Sequence, residues 1–123
     1  MKRIELSDMA IADLVELFAK IGVAQDEALL GGQYSKFNRL YDRMDAVPTE
    51  LRHRDGDQRR ALQVLYGFEN MQVRLKAALD TLAVVPEEAR AQLQAIAASN
   101  WFPQAGEAGM SLAALDGGTF KPN

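Results

Sequence analysis

The fold of this chain is decided by residues 70–82, which read NMQVRLKAALDTL. Asn70 has the short polar side chain that accepts hydrogen bonds from the free N–H groups at the start of a helix. The apolar positions that follow recur at helical spacing and lie on one face: Val73, Ala77, Ala78 and Leu82. Because two of them are alanines, a second helix can approach closely. The segment therefore predicts a capped helix that stacks on its neighbours.

The same helical periodicity runs through the rest of the chain, and no segment alternates with period two for the length of a strand. We predict an all-α fold of about six helices in stacked antiparallel hairpins, with no sheet. Residues 1–123 are expected to form a single domain, because a chain of this length buries roughly two-thirds of its unfolded surface. The predicted helices span residues 8–29, 33–47, 57–66, 70–84, 86–99 and 104–116, with a tail at 117–123.

Capping and breaking residues set the predicted helix boundaries. Ser7 or Asp8 is placed to cap the first helix, and the glycines at 31–32 are expected to end it. Pro48 is expected to end the second helix, because proline lacks the N–H that a helix interior requires. Asp57 follows a turn signal and can cap the third helix.

A repeat of 31 residues relates the last two predicted helix pairs. Five positions of the first pair match positions of similar size in the second: Leu62 and Leu93, Leu65 and Ile96, Ala77 and Ala108, Ala78 and Gly109, Leu79 and Met110. Such self-similarity is typical of helical repeats, whose hairpins bury their apolar faces by stacking. With two copies, a chance match remains the alternative.

Composition excludes several classes of site. The chain contains no cysteine, which removes disulfides, thiolate zinc sites and cysteine nucleophiles, and suits a reducing compartment. The N-terminus carries acidic residues before any apolar run of signal-peptide length, so we expect a cytoplasmic protein. The longest apolar runs, such as 81–85, are far below the roughly 20 residues of a transmembrane helix. No membrane association is predicted.

The candidate catalytic groups have ordinary structural explanations. His53 is the only histidine and stands between two arginines, so it is expected at the surface. The segment 55–57 begins like a calcium loop but lacks the later ligands, and a turn with a helix cap explains its acids. Asp42 and Asp45 can form ion pairs along their own helix. We therefore expect no enzyme activity, catalytic residue, metal site or cofactor.

Positive charge concentrates in the middle of the chain. The net charge is −3, yet residues 36–76 hold nine Lys or Arg against six Asp or Glu. Arginine's planar fork suits carboxylates and phosphates, so this region can bind an acidic protein surface or a nucleic-acid backbone; the alternative is a solvated set of helix faces. Aromatic side chains at a predicted corner add a second contact; the alternative, more frequent for such a pair, is that they fill the end of a small core. The candidate partner-binding residues are Arg52, Arg54, Arg59, Arg60, Arg74, Trp101 and Phe102.

Two family resemblances follow from these motifs. Residues 70–82 resemble the second helix of a HEAT or armadillo unit, with its cap, its Val-Arg pair and its alanines. The segments 24–30, 36–44, 56–62 and 104–110 resemble a bacterial family described only as a domain of unknown function, number two thousand and nineteen. This resemblance covers nearly the whole chain. It implies a HEAT-like helical fold and supplies no activity or site residue.

The leading functional hypothesis is a non-enzymatic protein-interaction module with an unidentified protein partner. The alternative is backbone-directed binding of nucleic acid by the same arginines, although the sequence pI near 5.1 is far below the value above about 9 that is typical of such domains. A third hypothesis, a small-molecule cleft between helices, requires a deep apolar pocket with convergent polar groups. The oligomeric state is not predicted.

Overall fold

The computed structural model describes residues 5–123, and this part of the chain is all-α with no strand, as predicted. Five α-helices and two 3-10 segments follow one another: η1 (Leu6–Asp8), α1 (Ile11–Leu30), α2 (Tyr34–His53), η2 (Gln58–Gly67), α3 (Met71–Thr81), α4 (Pro86–Ala98) and α5 (Gln104–Asp116). The chain divides after Ala61 into two compact units, here called unit 1 (to Ala61) and unit 2 (from Leu62). The single domain over residues 1–123 stays a prediction.

Unit 1 is a helical hairpin. Its helices α1 and α2 pack against each other and are joined by three residues, in which Gly32 takes a left-handed φ of 67° as predicted for a helix break. Both helices contribute large buried side chains: Leu14, Phe18, Ile21, Met44, Val47 and Leu51.

The predicted cap of the first helix was wrong. α1 begins at Ile11, and Ala10 stands at its N-cap without a side-chain hydrogen bond. Ser7 and Asp8 belong instead to η1, which closes on itself through a hydrogen bond from the N–H of Met9 to the carbonyl of Leu6 (3.0 Å). This local turn uses the residues that would otherwise have begun the helix.

The predicted end of the second helix at Pro48 was also wrong. α2 continues through Pro48 to His53. Val47, Pro48 and Leu51 are all buried. Burial of apolar side chains at about 25 cal/mol per Å² offsets the one backbone hydrogen bond that proline cannot make.

The third predicted helix is not an α-helix. Residues Gln58–Gly67 form the 3-10 segment η2, which crosses the boundary between the two units. Its two buried side chains, Leu62 and Leu65, stand three residues apart. The three-residue turn of a 3-10 helix places both on the same side, whereas an α-helix would offset them.

Unit 2 contains α-helices near the ranges predicted at 70–84, 86–99 and 104–116. Asn70 caps α3 by accepting hydrogen bonds from the N–H groups of Gln72 (3.0 Å) and Val73 (3.2 Å). α3 ends at Thr81, three residues before the predicted end, and the N–H of Val85 turns back to the Thr81 carbonyl at 2.8 Å. The core of unit 2 draws on α3, α4 and α5: Leu75, Ala78, Leu82, Ala89, Leu93, Ile96 and Ala108.

The C-terminal tail is attached to this core. Gly117 and Gly118 end α5, and Gly118 takes a φ of 77°. The N–H groups of Thr119 and Phe120 donate to the carbonyl of Ala114, and the side chain of Phe120 packs against the core of unit 2. Within residues 5–123, no helix is long and apolar enough to cross a membrane.

Candidate protein-interaction surfaces

The side chain of Arg54 donates hydrogen bonds to acceptors within unit 1. Its Nε donates to Oε2 of Glu50, one helical turn earlier, at 2.7 Å. Its Nη2 reaches the backbone of the N-terminal segment and donates to the carbonyls of Leu6 (3.1 Å) and Met9 (2.8 Å). With the more distant carbonyl of Ser7 (3.5 Å), three peptide carbonyls and one carboxylate thus hold this guanidinium, which ties η1 to the end of α2.

The guanidinium of Arg59 forms a bidentate ion pair with the carboxylate of Asp57. Its Nε donates to Oδ1 of Asp57 at 2.9 Å and its Nη2 donates to Oδ2 at 2.7 Å. The hydrogen bonds and the positive charge of Arg59 lower the pKa of Asp57 below its ordinary value. Only 12% of the Arg59 side chain is exposed. This arginine therefore stabilises the turn before η2, where Asp57 has a φ of 52°.

Arg52 and Arg60 are the exposed members of the predicted cluster in unit 1. Both present guanidinium groups at the surface, Arg52 near the end of α2 and Arg60 in η2. The patch that the sequence predicted thus contains two exposed guanidinium groups in unit 1. The residues of the cluster were found by counting charge, which does not distinguish surface groups from those that bind the protein's own backbone.

Arg74 lies in unit 2. Its Nε donates to the carbonyl of Phe68, in the turn that precedes α3. Arg74 lies one helical turn after the cap residue Asn70. Its hydrogen bond to Phe68 fixes the chain just before α3 begins. The half-buried Arg74 therefore has a structural role in unit 2, and its predicted role in partner binding stays a prediction.

Trp101 and Phe102 form an exposed aromatic corner between α4 and α5. Their side chains are 61% and 68% exposed. The backbone of this corner is held by hydrogen bonds: the N–H of Trp101 donates to Oγ of Ser99 (3.1 Å), and its carbonyl accepts from the N–H of Ala105 (2.8 Å). A fixed backbone thus presents two large apolar side chains to solvent, and they do not fill the end of the core.

Met110, which the sequence did not mark as a site residue, extends this apolar surface along α5. It is 75% exposed, and Gly106 lies one turn before it, beside the Phe102 ring. The signal that could have identified Met110 was present in the repeat, which pairs it with the half-buried Leu79. Leu79 and Met110 are equivalent in the repeat but differ in burial. The surface at this position is therefore covered in the first copy of the repeat and open in the second.

An open groove lies beside α2 in unit 1. It has a volume of about 480 Å³ and its lining is mostly polar or small: Leu6, Asp42, Asp45, Ala46, Thr49, Glu50 and His53. The Nδ1 atom of His53 lies 2.7 Å from the carbonyl of Thr49. This groove lacks the deep apolar character that the small-molecule hypothesis requires. Over the part of the chain that the structure describes, no set of three or more His, Cys, Asp or Glu could hold a metal.

Comparison with known proteins places the chain in a family. Residues 12–116 match the family described as "Domain of unknown function (DUF2019)". The chain is also similar to a solved structure, that of the protein RPA1889 from Rhodopseudomonas palustris CGA009, with 59% sequence identity and a TM-score of 0.95. This similarity covers 98% of the present chain and 100% of that one. No curated protein matches. Because the family match extends over most of its length, the chain belongs to the DUF2019 family.

Proposed function

We propose that the protein is a non-enzymatic protein-interaction module of the cytoplasm. Its contact surface in unit 2 is the aromatic corner Trp101-Phe102, and the exposed Arg52 and Arg60 form a second contact in unit 1. The partner is a protein with an apolar cleft for the corner and acidic groups for the arginines. The 31-residue repeat makes unit 2 HEAT-like, and stacked helical hairpins commonly serve as binding surfaces.

The exposure of the aromatic corner carries this proposal. Tryptophan and other aromatic side chains dominate the binding energy of protein interfaces, where they fill pockets of the partner. Here 61% of Trp101 is in water, although burying such a side chain is strongly favourable. Because hydrogen bonds fix the backbone on both sides of the corner, a partner need not order it on binding.

The same geometry gives less support to nucleic-acid binding. Arg54, Arg59 and Arg74 already donate to acceptors within the protein. A phosphate backbone would have to compete with these contacts or use Arg52 and Arg60 alone. Two phosphate contacts confer only weak binding, whose dependence on salt is shallow because the slope of log K against log salt is about −0.9 per contact.

Capture from the native cytoplasm tests the proposal. The tagged wild-type protein, the variant Trp101→Ala and the matched control Leu30→Ala are each used to capture partners from a cell extract. Each capture is carried out with and without nuclease. Leu30 lies in unit 1 and is 81% exposed, so the control removes apolar surface elsewhere. The backbone contacts of Trp101 do not depend on its ring, and we expect the alanine variant to fold like the wild type.

We expect a protein that wild type and Leu30→Ala retain and Trp101→Ala loses by at least about tenfold, which corresponds to one hot-spot residue. Binding that Arg52→Glu with Arg60→Glu abolishes would assign the second contact. If nuclease treatment removes everything that wild type captures, the partner is nucleic acid and the proposal is wrong. Equal capture by wild type and Trp101→Ala would exclude the corner as the contact.

A further inference from the structure

The hydroxyl of Ser99 bridges the end of α4 and the aromatic corner. Ser99 stands at the C-cap of α4, with a φ of −75° and a ψ of −18°. Its Oγ donates to the carbonyl of Ile96 at 2.6 Å and accepts from the N–H of Trp101 at 3.1 Å. The hydroxyl thus uses its one donor on the helix and a lone pair on the corner. One side chain therefore links the last turn of α4 to the residue proposed as the contact.

Asn100 sets the direction in which the chain leaves α4. It takes a left-handed φ of 60° between Ser99 and Trp101. Asparagine visits this region more readily than most residues, yet the conformation is costly and persists only where its surroundings hold it. The hydrogen bond from the N–H of Trp101 to Ser99 spans Asn100 and closes the turn around it. The Ser99 hydroxyl therefore holds the backbone at the point where the chain turns.

The α5 side of the corner is held by backbone groups. The carbonyl of Trp101 accepts from the N–H of Ala105 at 2.8 Å, and the carbonyl of Pro103 accepts from the N–H of Glu107 at 3.1 Å. Of the hydrogen bonds that Ser99 and Ala105 make to the Trp101 backbone, only the first depends on the identity of a side chain. A substitution at position 99 can therefore release one side of the corner and leave the start of α5 intact.

Packing does little to hold the two rings of the corner. Trp101 is 61% and Phe102 is 68% exposed, so most of each ring has no protein neighbour. Exposed side chains change rotamer within picoseconds to nanoseconds, whereas buried ones are fixed by the atoms around them. The position of these rings consequently depends on the backbone that carries them. Loss of a backbone contact at Trp101 is not compensated by packing of its ring.

We propose that Ser99 is a positioning residue for the aromatic corner: its hydroxyl holds Trp101 in the orientation that the partner binds. This rests on the proposed function, in which Trp101 is the contact. A segment already held in its bound conformation loses less conformational entropy on binding, so its affinity is higher without any additional contact. Ser99 acts through Trp101, and its action requires the hydroxyl.

The fluorescence of the chain tests this role directly. Trp101 is the only tryptophan, so time-resolved fluorescence anisotropy measures the motion of its ring on the nanosecond scale. We expect Ser99→Ala to increase the amplitude of fast ring motion. Ser99→Thr keeps the hydroxyl and should restore the wild-type amplitude. Ser111→Ala is the matched control, because it removes a hydroxyl from the middle of α5 and should leave the amplitude unchanged.

Hydrogen exchange of the Trp101 N–H, followed by NMR, measures the same contact on the backbone. Ser99→Ala removes the acceptor of this N–H, which should then exchange at least about fivefold faster, the factor that one net hydrogen bond confers. Amides in the middle of α4 should keep their protection. Faster exchange throughout α4 would show that Ser99 only caps the helix and would overturn the proposal.

Capture from a cell extract connects the position of Trp101 with binding. We expect Ser99→Ala to bind the protein that wild type captures about threefold to tenfold more weakly, the cost of ordering one exposed side chain and its backbone on binding. Ser99→Thr and Ser111→Ala should capture it as wild type does. A looser corner with undiminished capture would overturn the proposal.

The two proposals fail in different ways. Equal capture by wild type and Trp101→Ala would refute the proposed contact, and the role of Ser99 in binding with it. Wild-type anisotropy and exchange in Ser99→Ala would overturn the role of Ser99 alone, because Trp101 would then keep its position without the hydroxyl.

Discussion

Lys76 and Glu107 occupy equivalent positions of the two helical repeats, 31 residues apart, and their side chains form an ion pair with Nζ 3.2 Å from Oε1. The Lys76 side chain is 13% exposed and that of Glu107 is 46% exposed. The contact joins α3 to α5, beside the buried hydrogen bond between Gln72 and Gln104. Two polar contacts therefore fix the alignment of the helices that the repeat relates.

The ion pair should contribute modestly to stability. A double-mutant cycle with Lys76→Met and Glu107→Gln, followed by urea denaturation, should give a coupling energy of about 0.5 kcal/mol, since one partner is half-exposed. The coupling should decrease in 1 M salt, where screening is stronger. The exposed pair of Lys20 and Glu16, 3.4 Å apart in α1, is the control and should show weaker coupling. A coupling near zero for Lys76 and Glu107 would mean that the hydrogen bond between Gln72 and Gln104 and the packing align the helices without this ion pair.

Asn70 should stabilise unit 2 through its side-chain oxygen. Asn70→Ala removes the acceptor of two N–H groups and should lower the free energy of unfolding by about 1 kcal/mol. Asn70→Asp keeps an oxygen acceptor and adds a negative charge at the helix N-terminus, so it should restore most of the loss. Helical circular dichroism during urea denaturation measures both. If aspartate and alanine were equally destabilising, the cap would not be the cause.

The sequence predicted the parts of the fold that depend on local patterns. The cap at Asn70 and the buried pairs of the repeat follow from side-chain type and spacing. Pro48 shows the limit of such rules, because a tertiary effect, burial on both sides of the proline, overrides the local cost of a lost hydrogen bond. No short-range pattern contains that information.

The candidate site was less predictable for a related reason. Charge counting grouped Arg54 with Arg52, yet Arg54 donates to carbonyls more than 40 positions earlier in the chain. Such long-range contacts depend on the fold and leave no mark near the arginine. The exposure of Trp101 was left open between a core plug and an anchor, and only the packing of unit 2 decides it.

Arg54 should hold the N-terminal 3-10 segment in place. Arg54→Gln loses the donors to Leu6 and Met9, so amide hydrogens of residues 6–9 should exchange faster, while those in the middle of α1 should keep their protection. Arg52→Gln is the matched control, because it removes an exposed arginine two positions away. Hydrogen exchange followed by mass spectrometry resolves the segment. Equal exchange in the two variants would show that η1 is held by other contacts.

Asp57 should make stability depend on acid pH. Its folded pKa lies below the ordinary value of 3.8 because Arg59 donates hydrogen bonds to the carboxylate. The stabilisation is therefore fully present above pH 3.8 and is lost as pH falls through the folded pKa. Asp57→Asn removes the titration, and asparagine tolerates the φ of 52°.

Urea denaturation between pH 2 and 6 measures this effect. The wild type should lose more stability than Asp57→Asn below about pH 4, and the two should differ by a constant amount above about pH 5. Parallel curves over the whole range would mean that the pair with Arg59 has the same strength whether or not the carboxylate is charged.

Gly109 and Gly118 should respond oppositely to alanine because their backbone conformations differ. Gly109 lies within α5 and has space for a Cβ, so Gly109→Ala should raise the free energy of unfolding by about 0.5–1 kcal/mol through helix propensity. Gly118 has a φ of 77°, which strains an L-residue, so Gly118→Ala should lower it by about 1 kcal/mol. Thermal and urea denaturation measure both changes. A loss of stability in Gly109→Ala would contradict the gain that helix propensity predicts for a position with room for a Cβ.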